Sequence, residues 1–584
     1  MKSLMAGIVA VGLLESWVMT APAGAASALH VVYPPDGHET EAEQIFLIGT
    51  GAADQTVLVN GEAVQGRSTS GHFAPSYPLE LGDNVFTLRQ GNESIEITVT
   101  RLPPQPRLPQ GAVFLEDSLL PTTDIMRRPG ELVCLGAIAS PEAQVSAEIA
   151  GTSLPLTART PVVLPPNYAV LTQQNEPMLG AEPIAYEACF YPSESSSLGS
   201  PIYRFTQNGQ TLTQTAAGAV AIESPPPFEI AEVVAASGVA RTGPGTSYSR
   251  LTPLPQGTRA TITGRDGDWL RLDYGGWIHS RETERFSSMA PPQSIIRSVN
   301  SRQISGWTEV RFPLQTAVPI TLEQTGPTLT LTLHNTTPQT DTIYFHGDPV
   351  VERLDWRPRL PDQAEYIFQF HWDRQWGYKL RYEGTTLVLS LRHPPRVGSQ
   401  LTGTTILLDP GHGGEELGAL GPDGTPEKSV NLVVSELLKA ELEARGATVL
   451  MTRQQDVDTS LGARVEQIQQ QEPTLALSIH YNALPDSGDA LNTAGIGMFW
   501  YHGQAHDLAA FLHDHLVHTL GRPSYGVYWN NLALTRPHVA PSVLLELGFM
   551  INPQEFEWIT DPEAQQQLAA ALADGIERWF QEGS

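Results

Sequence analysis

The stretch Thr404-Thr405-Ile406-Leu407-Leu408-Asp409, continued by Pro410-Gly411-His412-Gly413-Gly414, decides the fold of the last third of this chain. An apolar run that ends in a polar, glycine-rich segment is typical of a buried strand that leads into a turn. The following segment predicts a helix, with Thr425 as N-cap and Pro426 in the first turn. Its apolar face is predicted from the spacing of Val430, Val433, Leu437 and Ala440.

The same alternation continues to the end of the chain. Further strands are predicted at 447–451, 475–480, 495–500 and 542–546, with helices near 504–520 and from Leu568 to Trp579. Strands that alternate with helices form an α/β domain with a largely parallel sheet. We therefore expect one α/β domain over residues 403–584.

Polar side chains stand where these predicted strands end. Asp409 and His412 follow the first strand, His480 ends another, and Glu546 ends a third. Open α/β sheets bind ligands at the carboxyl ends of their strands, and an unpaired buried His or Glu is costly. Two histidines and a carboxylate suit a catalytic zinc ion. The spacings match no short zinc motif and HExxH is absent, so these residues alone leave the metal undecided.

Composition limits the class of protein. The 584 residues include 35 Lys and Arg against 63 Asp and Glu, for a net charge of −28. Only 17% of the residues are charged and 41% are apolar, which favours folded domains over a disordered polyelectrolyte. A pI near 4.9 and only four lysines argue against a nucleic-acid partner, which would need a basic footprint. The 47 prolines and 51 glycines favour short strands and turns.

The N-terminus predicts export. Lys2, the apolar run 4–14 and the small residues Ala23-Gly24-Ala25 are typical of a signal peptide, which we place at residues 1–25. An uncleaved N-terminal anchor is the alternative. The run is short for a membrane span and no later stretch is longer, so we expect no membrane span in the mature chain. The predicted location is the periplasm or the cell wall.

Proline clusters at 103–106, 225–227, 291–292 and 394–395 predict domain boundaries. They leave β-rich blocks at 30–101, 110–224, 228–286 and 294–393, ahead of the α/β block 403–584. Asn60-Gly61 in the first block predicts a hairpin. The first block resembles a bacterial Ig-like module, the second is a β-domain of unknown type, and the fourth loosely resembles the AMIN module found ahead of cell-wall amidases.

The third block carries a more specific pattern. Residues 238–246 (GVARTGPGT) lead to 254–258 (LPQGT), then to 267–272 (GDWLRL) and 276–278 (GWI). This order resembles bacterial SH3 domains, and the resemblance covers almost the whole block. It implies a small β-barrel of a kind that commonly binds cell-wall peptides.

The chain has two cysteines, Cys134 and Cys189, both in the second block. In an exported protein they could form one disulfide. Two buried free thiols are the alternative, and the sequence leaves the choice open. Neither cysteine belongs to the predicted site.

Residues 404–579 closely resemble the zinc-dependent N-acetylmuramoyl-L-alanine amidases of the amidase-3 type. Four motifs carry the resemblance in the same order: 408–414 (LDPGHGG), 427–432 (EKSVNL), 478–483 (SIHYNA) and 545–552 (LELGFMIN). The resemblance implies one Zn²⁺ ion held by His412, Glu427 and His480, with Glu546 as the catalytic carboxylate.

Some residues allow more than one interpretation. Glu415 and Glu416 lie closer in sequence to His412 than Glu427 does, and they compete with it as ligands. Asn482 and Arg536 are expected to contact substrate, with an ordinary surface ion pair as the alternative for Arg536. Four histidines on the helix near 504–520 are expected on a solvated helix face rather than in a metal cluster.

The predicted function is hydrolysis of peptidoglycan at the amide between N-acetylmuramic acid and L-alanine, in wall remodelling or daughter-cell separation. A zinc peptidase that cuts within the stem peptide and a non-catalytic wall-binding scaffold are the alternatives. The β-modules are expected to bind the wall or a division-site partner. Some amidases of the family that this chain resembles carry an autoinhibitory helical insert between the second histidine and the catalytic glutamate. Here the predicted strands and one ordinary helix occupy the segment from 481 to 545, so we expect no such insert and a constitutively competent enzyme.

Overall fold

The computed structural model describes residues 29–103, 113–180, 184–345, 347–360, 362–398 and 400–582. The predicted signal peptide lies outside these ranges. Within them, no helix combines the length and the apolar character needed to cross a membrane. Four β-rich blocks precede an α/β block, in agreement with the fold class predicted from the sequence.

The first block is built from short strands around a small apolar core. Asn60 and Gly61 have φ angles of 52° and 88°, and they connect two paired strands, so the predicted hairpin is confirmed. The strands are His30–Tyr33, His38–Thr40, Gln44–Phe46, Ile48–Thr50, Leu58–Val59, Glu62–Ala63, His72–Phe73, Ser76–Pro78, Gly82–Gln90 and Glu93–Arg101.

The second block contains the disulfide. Cys134 and Cys189 face each other on antiparallel strands and are bonded, which decides between the two alternatives that the sequence left open. One 3₁₀ helix, Asn167–Thr172, lies in this block. The strands are Ile125–Arg127, Val133–Ile138, Gln144–Ile149, Thr152–Pro155, Thr157–Arg159, Val162–Val163, Met178–Leu179, Ala185–Phe190, Ser196–Gly199, Ile202–Gln207, Gln210–Thr215 and Val220–Ile222.

The third block shares a sheet with the second. Ile125 pairs with Asp266 and Met126 with Arg265, so backbone hydrogen bonds join the two blocks across the proline cluster. A 3₁₀ helix spans Ser280–Glu282. The strands are Phe228–Val233, Ser237–Gly238, Leu254–Pro255, Arg259–Asp266, Trp269–Leu272, Trp277–His279 and Thr283–Ser288.

The fourth block is a sandwich of a five-stranded and a four-stranded sheet, whose inner faces enclose an apolar core. The alternating runs predicted at 328–333 and 386–391 both form strands. The strands of the block are Ser294–Ile304, Trp307–Pro313, Ile320–Thr325, Thr328–Leu333, Thr336–Tyr344, Val351–Leu360, Gln363–Phe370, Tyr378–Glu383 and Thr386–Arg392.

Over its described residues, 403–582, the last block has six strands and five helices, which we number from its own first element. The strands are β1 (Thr405–Pro410), β2 (Thr448–Met451), β3 (Leu475–Asn482), β4 (Ile496–Trp500), β5 (Ser524–Trp529) and β6 (Ser542–Phe549). The helices are α1 (Glu427–Ala444), α2 (Leu461–Gln471), α3 (His506–Leu520), α4 (Pro553–Thr560) and α5 (Pro562–Glu582), with 3₁₀ turns at Gly503–Ala505 and Ala533–Thr535.

The strand order β2-β1-β3-β6-β4-β5 forms a largely parallel sheet, as predicted. β4 and β5 run against the other four strands. Residues 483–495 form no helix, so β4 begins at the edge where β3 ends and runs back along the sheet. The carboxyl ends of β1, β3 and β6 therefore meet at one edge.

Two predicted details of α1 are wrong. The helix begins at Glu427, with Pro426 at the N-cap position and no side-chain cap, so Thr425 is not the N-cap. Its buried apolar residues are Val430, Val434, Leu438 and Leu442, whereas Val433 is 41% exposed. The face of α1 that packs on the sheet also buries the polar residues Glu427, Asn431 and Ser435. A prediction from the spacing of apolar residues does not detect such buried polar positions.

The first block packs against the last one beside the loop that follows β3. The Tyr33 hydroxyl donates to Asp486, and His38 Nε2 lies 2.9 Å from the other oxygen of that carboxylate. Phe46 and Phe549 share an apolar cluster. Residues 453 positions apart in sequence thus form one interface next to the edge where β1, β3 and β6 end.

Candidate active site

Three side chains converge at the carboxyl edge of the sheet. His412 follows β1, Glu427 is the first residue of α1, and His480 lies near the end of β3. One ligand atom from each lies within 4.8 Å of the others. His412 Nε2 is 3.1 Å from Glu427 Oε2, and His480 Nδ1 is 3.1 Å from Glu427 Oε1. The structure therefore brings together the three residues named as ligands from the sequence.

Glu427 is the central group of this cluster. It is only 3% exposed, and its carboxylate also accepts hydrogen bonds from the Tyr481 and Ala419 amides and the Asn431 side chain. Burial works to raise the pKa of Glu427, but the hydrogen bonds and charges of His412 and His480 outweigh it and hold the pKa below its usual range. The group is an ionised carboxylate set between two imidazoles.

Close packing explains two glycines of the site. A Cβ atom on Gly411 would lie 2.2 Å from the His480 ring, and one on Gly418 would lie 2.5 Å from a Glu427 oxygen. Any larger residue at either position would displace a side chain of the cluster. The glycine-rich sequence after β1 is thus a steric requirement of the site.

The rival ligands lie further from the centre. Glu416 Oε1 is 3.1 Å from His412 Nδ1, but Glu416 is exposed, and among the described residues its carboxylate bonds to this histidine and not to His480. Glu415 is exposed, and its backbone amide donates to Asp458. The geometry favours Glu427, the carboxylate that reaches both imidazoles.

Glu546 stands beside the cluster on β6. It pairs in register with His480 across the parallel strands. Its Oε2 atom is buried, and among the described residues it has no hydrogen-bond partner. Burial, and then the negative charge of Glu427, raise the pKa of Glu546 well above its usual value. An unpartnered carboxylate oxygen next to a ligand cluster is suited to exchange a proton with a bound reactant.

Asn482 and Arg536 occupy different edges of the sheet. Asn482 ends β3, two residues beyond His480, and its Oδ1 accepts the Ala483 amide. Arg536 precedes β6, whereas Glu546 lies in the second half of that strand. The Arg536 carbonyl oxygen is 2.8 Å from His502 Nε2, and His502 lies just beyond the end of the antiparallel strand β4. The structure therefore places Asn482 next to the cluster and Arg536 at the opposite edge.

A buried network that the sequence reasoning missed holds the His412 loop. His412 has a φ angle of 59°, and its carbonyl accepts a 2.7 Å hydrogen bond from Arg464. Arg464 also pairs at 2.6 Å with Asp409, and both side chains are almost fully buried. Arg453 donates to the Pro410 and Gly411 carbonyls. These bonds hold a left-handed backbone conformation that residues other than glycine adopt only uncommonly.

Replacing Arg464 by Gln is expected to destabilise the protein by about 3–5 kcal/mol, because Asp409 would remain as a buried charge without its partner. Thermal unfolding followed by circular dichroism measures the effect. Arg578→Gln is the matched control, since Arg578 is 58% exposed and its pair with Asp574 contributes about 0–1 kcal/mol. Equal losses in both variants would contradict a structural role for the buried pair.

The histidines of α3 do not all lie on a solvated face. His513 is 7% exposed, with Nε2 2.8 Å from the Ser524 hydroxyl, and His515 packs beside Asp574 of α5. His506 and His518 are exposed. The solvated-face prediction is wrong for His513 and His515, because α5 and β5 cover that side of the helix.

Comparison with known proteins agrees with this geometry. Residues 406–578 match the sequence model of the N-acetylmuramoyl-L-alanine amidase family, and residues 238–284 match that of the bacterial SH3 domain. The germination-specific N-acetylmuramoyl-L-alanine amidase of Bacillus subtilis (strain 168) is 32% identical over 204 residues, which cover 31% of this chain and 82% of that protein. The chain belongs to the N-acetylmuramoyl-L-alanine amidase family.

This amidase is a peptidoglycan hydrolase that cleaves the amide between N-acetylmuramic acid and L-alanine. YrvJ of Bacillus subtilis (strain 168) is 24% identical over 412 residues, which cover 58% of the amidase and 78% of YrvJ. The solved amidase AmiC2 of Nostoc punctiforme is 28% identical, with a TM-score of 0.29, over 31% of this amidase and 99% of that chain. The amidase and SH3 resemblances are confirmed, whereas the Ig-like and AMIN-like assignments stay predictions.

Proposed function

We propose that the amidase is zinc-dependent, with one Zn²⁺ ion held by His412, Glu427 and His480 and with Glu546 as the catalytic carboxylate. The donor set fits this ion, since two imidazoles and an ionised carboxylate place their atoms within 4.8 Å of one another. The proximity of these three groups is the observation that carries the proposal.

Zinc bound by three protein ligands supplies a Lewis acid and lowers the pKa of a coordinated water to about 7. Glu546 then has two tasks. It accepts the proton of the attacking water and later donates it to the amine of L-alanine as the amide bond breaks. Its unpartnered Oε2 atom is available for both transfers.

The surrounding residues keep the reacting groups in place. Asn431 and the Tyr481 amide hold the Glu427 carboxylate, and Arg464 holds the His412 backbone. Asn482, at the same edge, is proposed to contact the substrate. The role of orienting ligands through neighbouring hydrogen bonds is common in metal sites.

The amidase acts on the cell wall, outside the cytoplasm. We further propose that residues 1–25 direct its export, and that the mature enzyme works in the periplasm or the wall. The four β-blocks are proposed to hold it on peptidoglycan or on a wall partner.

Purified protein incubated with isolated peptidoglycan is expected to release intact stem peptides that carry a free L-alanine amine. A chelator should abolish the release and added Zn²⁺ should restore it, because the activated water depends on the ion. Mass spectrometry of the soluble products measures both effects. Fragments cut inside the stem would indicate a peptidase, and binding without any product would indicate a scaffold.

A further inference from the structure

A second pocket lies where the SH3 domain, the β-sandwich and the catalytic block meet. Its volume is about 250 Å³. Arg250 comes from the SH3 domain, Gln324 and Tyr378 from the sandwich, and Tyr501 and Trp529 from the ends of β4 and β5. Because β4 runs against β6, this pocket is at the edge of the sheet opposite to Glu546. It is separate from the active site.

The charge of the pocket is unusual for so acidic a chain. Arg250 lines it, and the Arg536 guanidinium lies close enough to interact electrostatically with Arg250 and Tyr501. In the part of the chain that the structure describes, no carboxylate forms an ion pair with either arginine. Among the described residues, the Arg536 guanidinium donates two long hydrogen bonds, of 3.4 and 3.5 Å, both to Asn531. A half-buried cation without a counter-charge is costly, and a bound anion would offset that cost.

Neighbouring titratable groups do not compensate this charge. Burial lowers the pKa of His502 to about 4 and that of His538 to about 3, so both are neutral at pH 7. Burial, and then the charge of Arg250, lower the pKa of Arg536 to about 10, which still leaves it protonated. Arg536 therefore adds a second positive charge near the pocket lining, close to Arg250 and Tyr501.

Aromatic rings form the rest of the recognition surface. The rings of Tyr501 and Trp529 lie 5.2 Å apart with an interplanar angle of 32°. Trp529 is 60% exposed, yet its indole N–H donates to the Tyr501 carbonyl, so the ring is held in position. An exposed Trp529 ring packed on a half-buried Tyr501 ring, close to two guanidinium groups, suits a ligand with a carboxylate next to an apolar or ring surface.

We propose that this junction pocket binds a carboxylate of peptidoglycan, which pairs with Arg250 and Arg536 while the adjoining part packs on Tyr501 and Trp529. This proposal rests on the proposed function, in which peptidoglycan is the substrate of the amidase. Peptidoglycan offers two sources of this group: the carboxylates of the stem peptide, and the lactyl carboxylate that amide hydrolysis exposes on N-acetylmuramic acid. Binding here would keep the enzyme on the wall while the active site at the other edge turns over.

The test uses the full chain with Glu546→Gln, which removes turnover, and follows binding by calorimetry. The probes are a free stem tetrapeptide, a glycan strand stripped of its peptides, and uncharged N,N′-diacetylchitobiose. We expect one of the two carboxylate probes to bind, and Arg250→Gln with Arg536→Gln together to weaken that binding by about 10- to 100-fold. The probe that binds identifies the source of the carboxylate.

Arg259→Gln is the matched control, since Arg259 lies in the same SH3 domain but is already paired with Glu232. It should bind the probe as the parent does, and melting temperatures should show that all variants fold. Unchanged binding in the double variant, equal binding of diacetylchitobiose, or no binding of either carboxylate probe would overturn the proposal. Release of stem peptides by the parent enzyme is measured separately, so the proposed function can hold when this inference fails.

Discussion

Replacing Glu546 by Gln is expected to lower kcat by about 10²- to 10⁴-fold while Zn²⁺ remains bound. The amide of Gln cannot accept the proton of the attacking water, and a positioned general base contributes about 10²- to 10⁴-fold. The three proposed ligands are unchanged in this variant, so the metal content should match that of the parent. Release of stem peptides from peptidoglycan and elemental analysis of the purified protein measure the two quantities.

Glu415→Gln serves as the control for charge and location, because Glu415 is exposed and lies in the loop that carries His412. Its activity should equal that of the parent. Activity of the Glu546 variant within tenfold of the parent would remove Glu546 from the mechanism. Loss of the metal together with activity would instead assign Glu546 to the ligand set.

Replacing Glu427 by Gln is expected to weaken Zn²⁺ binding by at least about 100-fold, since even residues that only orient ligands contribute about 10- to 100-fold. The variant keeps the size of the side chain but loses the negative charge that both imidazoles face. Competition with a chromophoric chelator measures the affinity without any substrate. Amidase activity should fall in parallel.

Glu416→Gln is the matched variant at the rival position. The Glu416 carboxylate pairs with His412 and its side chain is 65% exposed, so loss of its charge should change zinc affinity by less than about fivefold. If the Glu416→Gln variant lost the metal and the Glu427→Gln variant kept it, Glu416 rather than Glu427 would be the carboxylate ligand. The pair of variants thus tests the interpretation that sequence spacing alone left open.

The elements of the catalytic block are largely predictable because their signals are local. Apolar runs and helical spacing depend on residues within one or two turns of each other, and they locate β1, β3 and β6 from sequence alone. The polar residues at the strand ends then indicate one edge of the sheet. The position of Glu427 came from a motif, since nothing local shows that the start of α1 faces His480.

The interactions that were missed depend on distant partners. Arg464 lies 55 positions from Asp409, and neither residue shows its partner in the surrounding sequence. The predicted face of α1 was wrong for a related reason. Glu427, Asn431 and Ser435 are buried on the helix, where Asn431 donates to Glu427 and Ser435 donates to the Asn431 carbonyl. Hydrophobic periodicity counts only apolar side chains and so does not indicate these buried polar residues.

The sequence by itself determined the SH3 and amidase motifs and most elements of the last block, namely β1 to β4, β6, α1, α3 and α5, whereas it indicated neither β5 nor the helices α2 and α4. The division into five blocks and the candidate ligands stay predictions. Only the tertiary structure decided that Cys134 and Cys189 are bonded, that Arg536 lies far from Glu546, and that three blocks enclose a cationic pocket around Arg250. Local elements follow from the chemistry of neighbouring residues. Disulfides, buried ion pairs and junction pockets depend on which distant surfaces pack together, and that is a property of the folded chain.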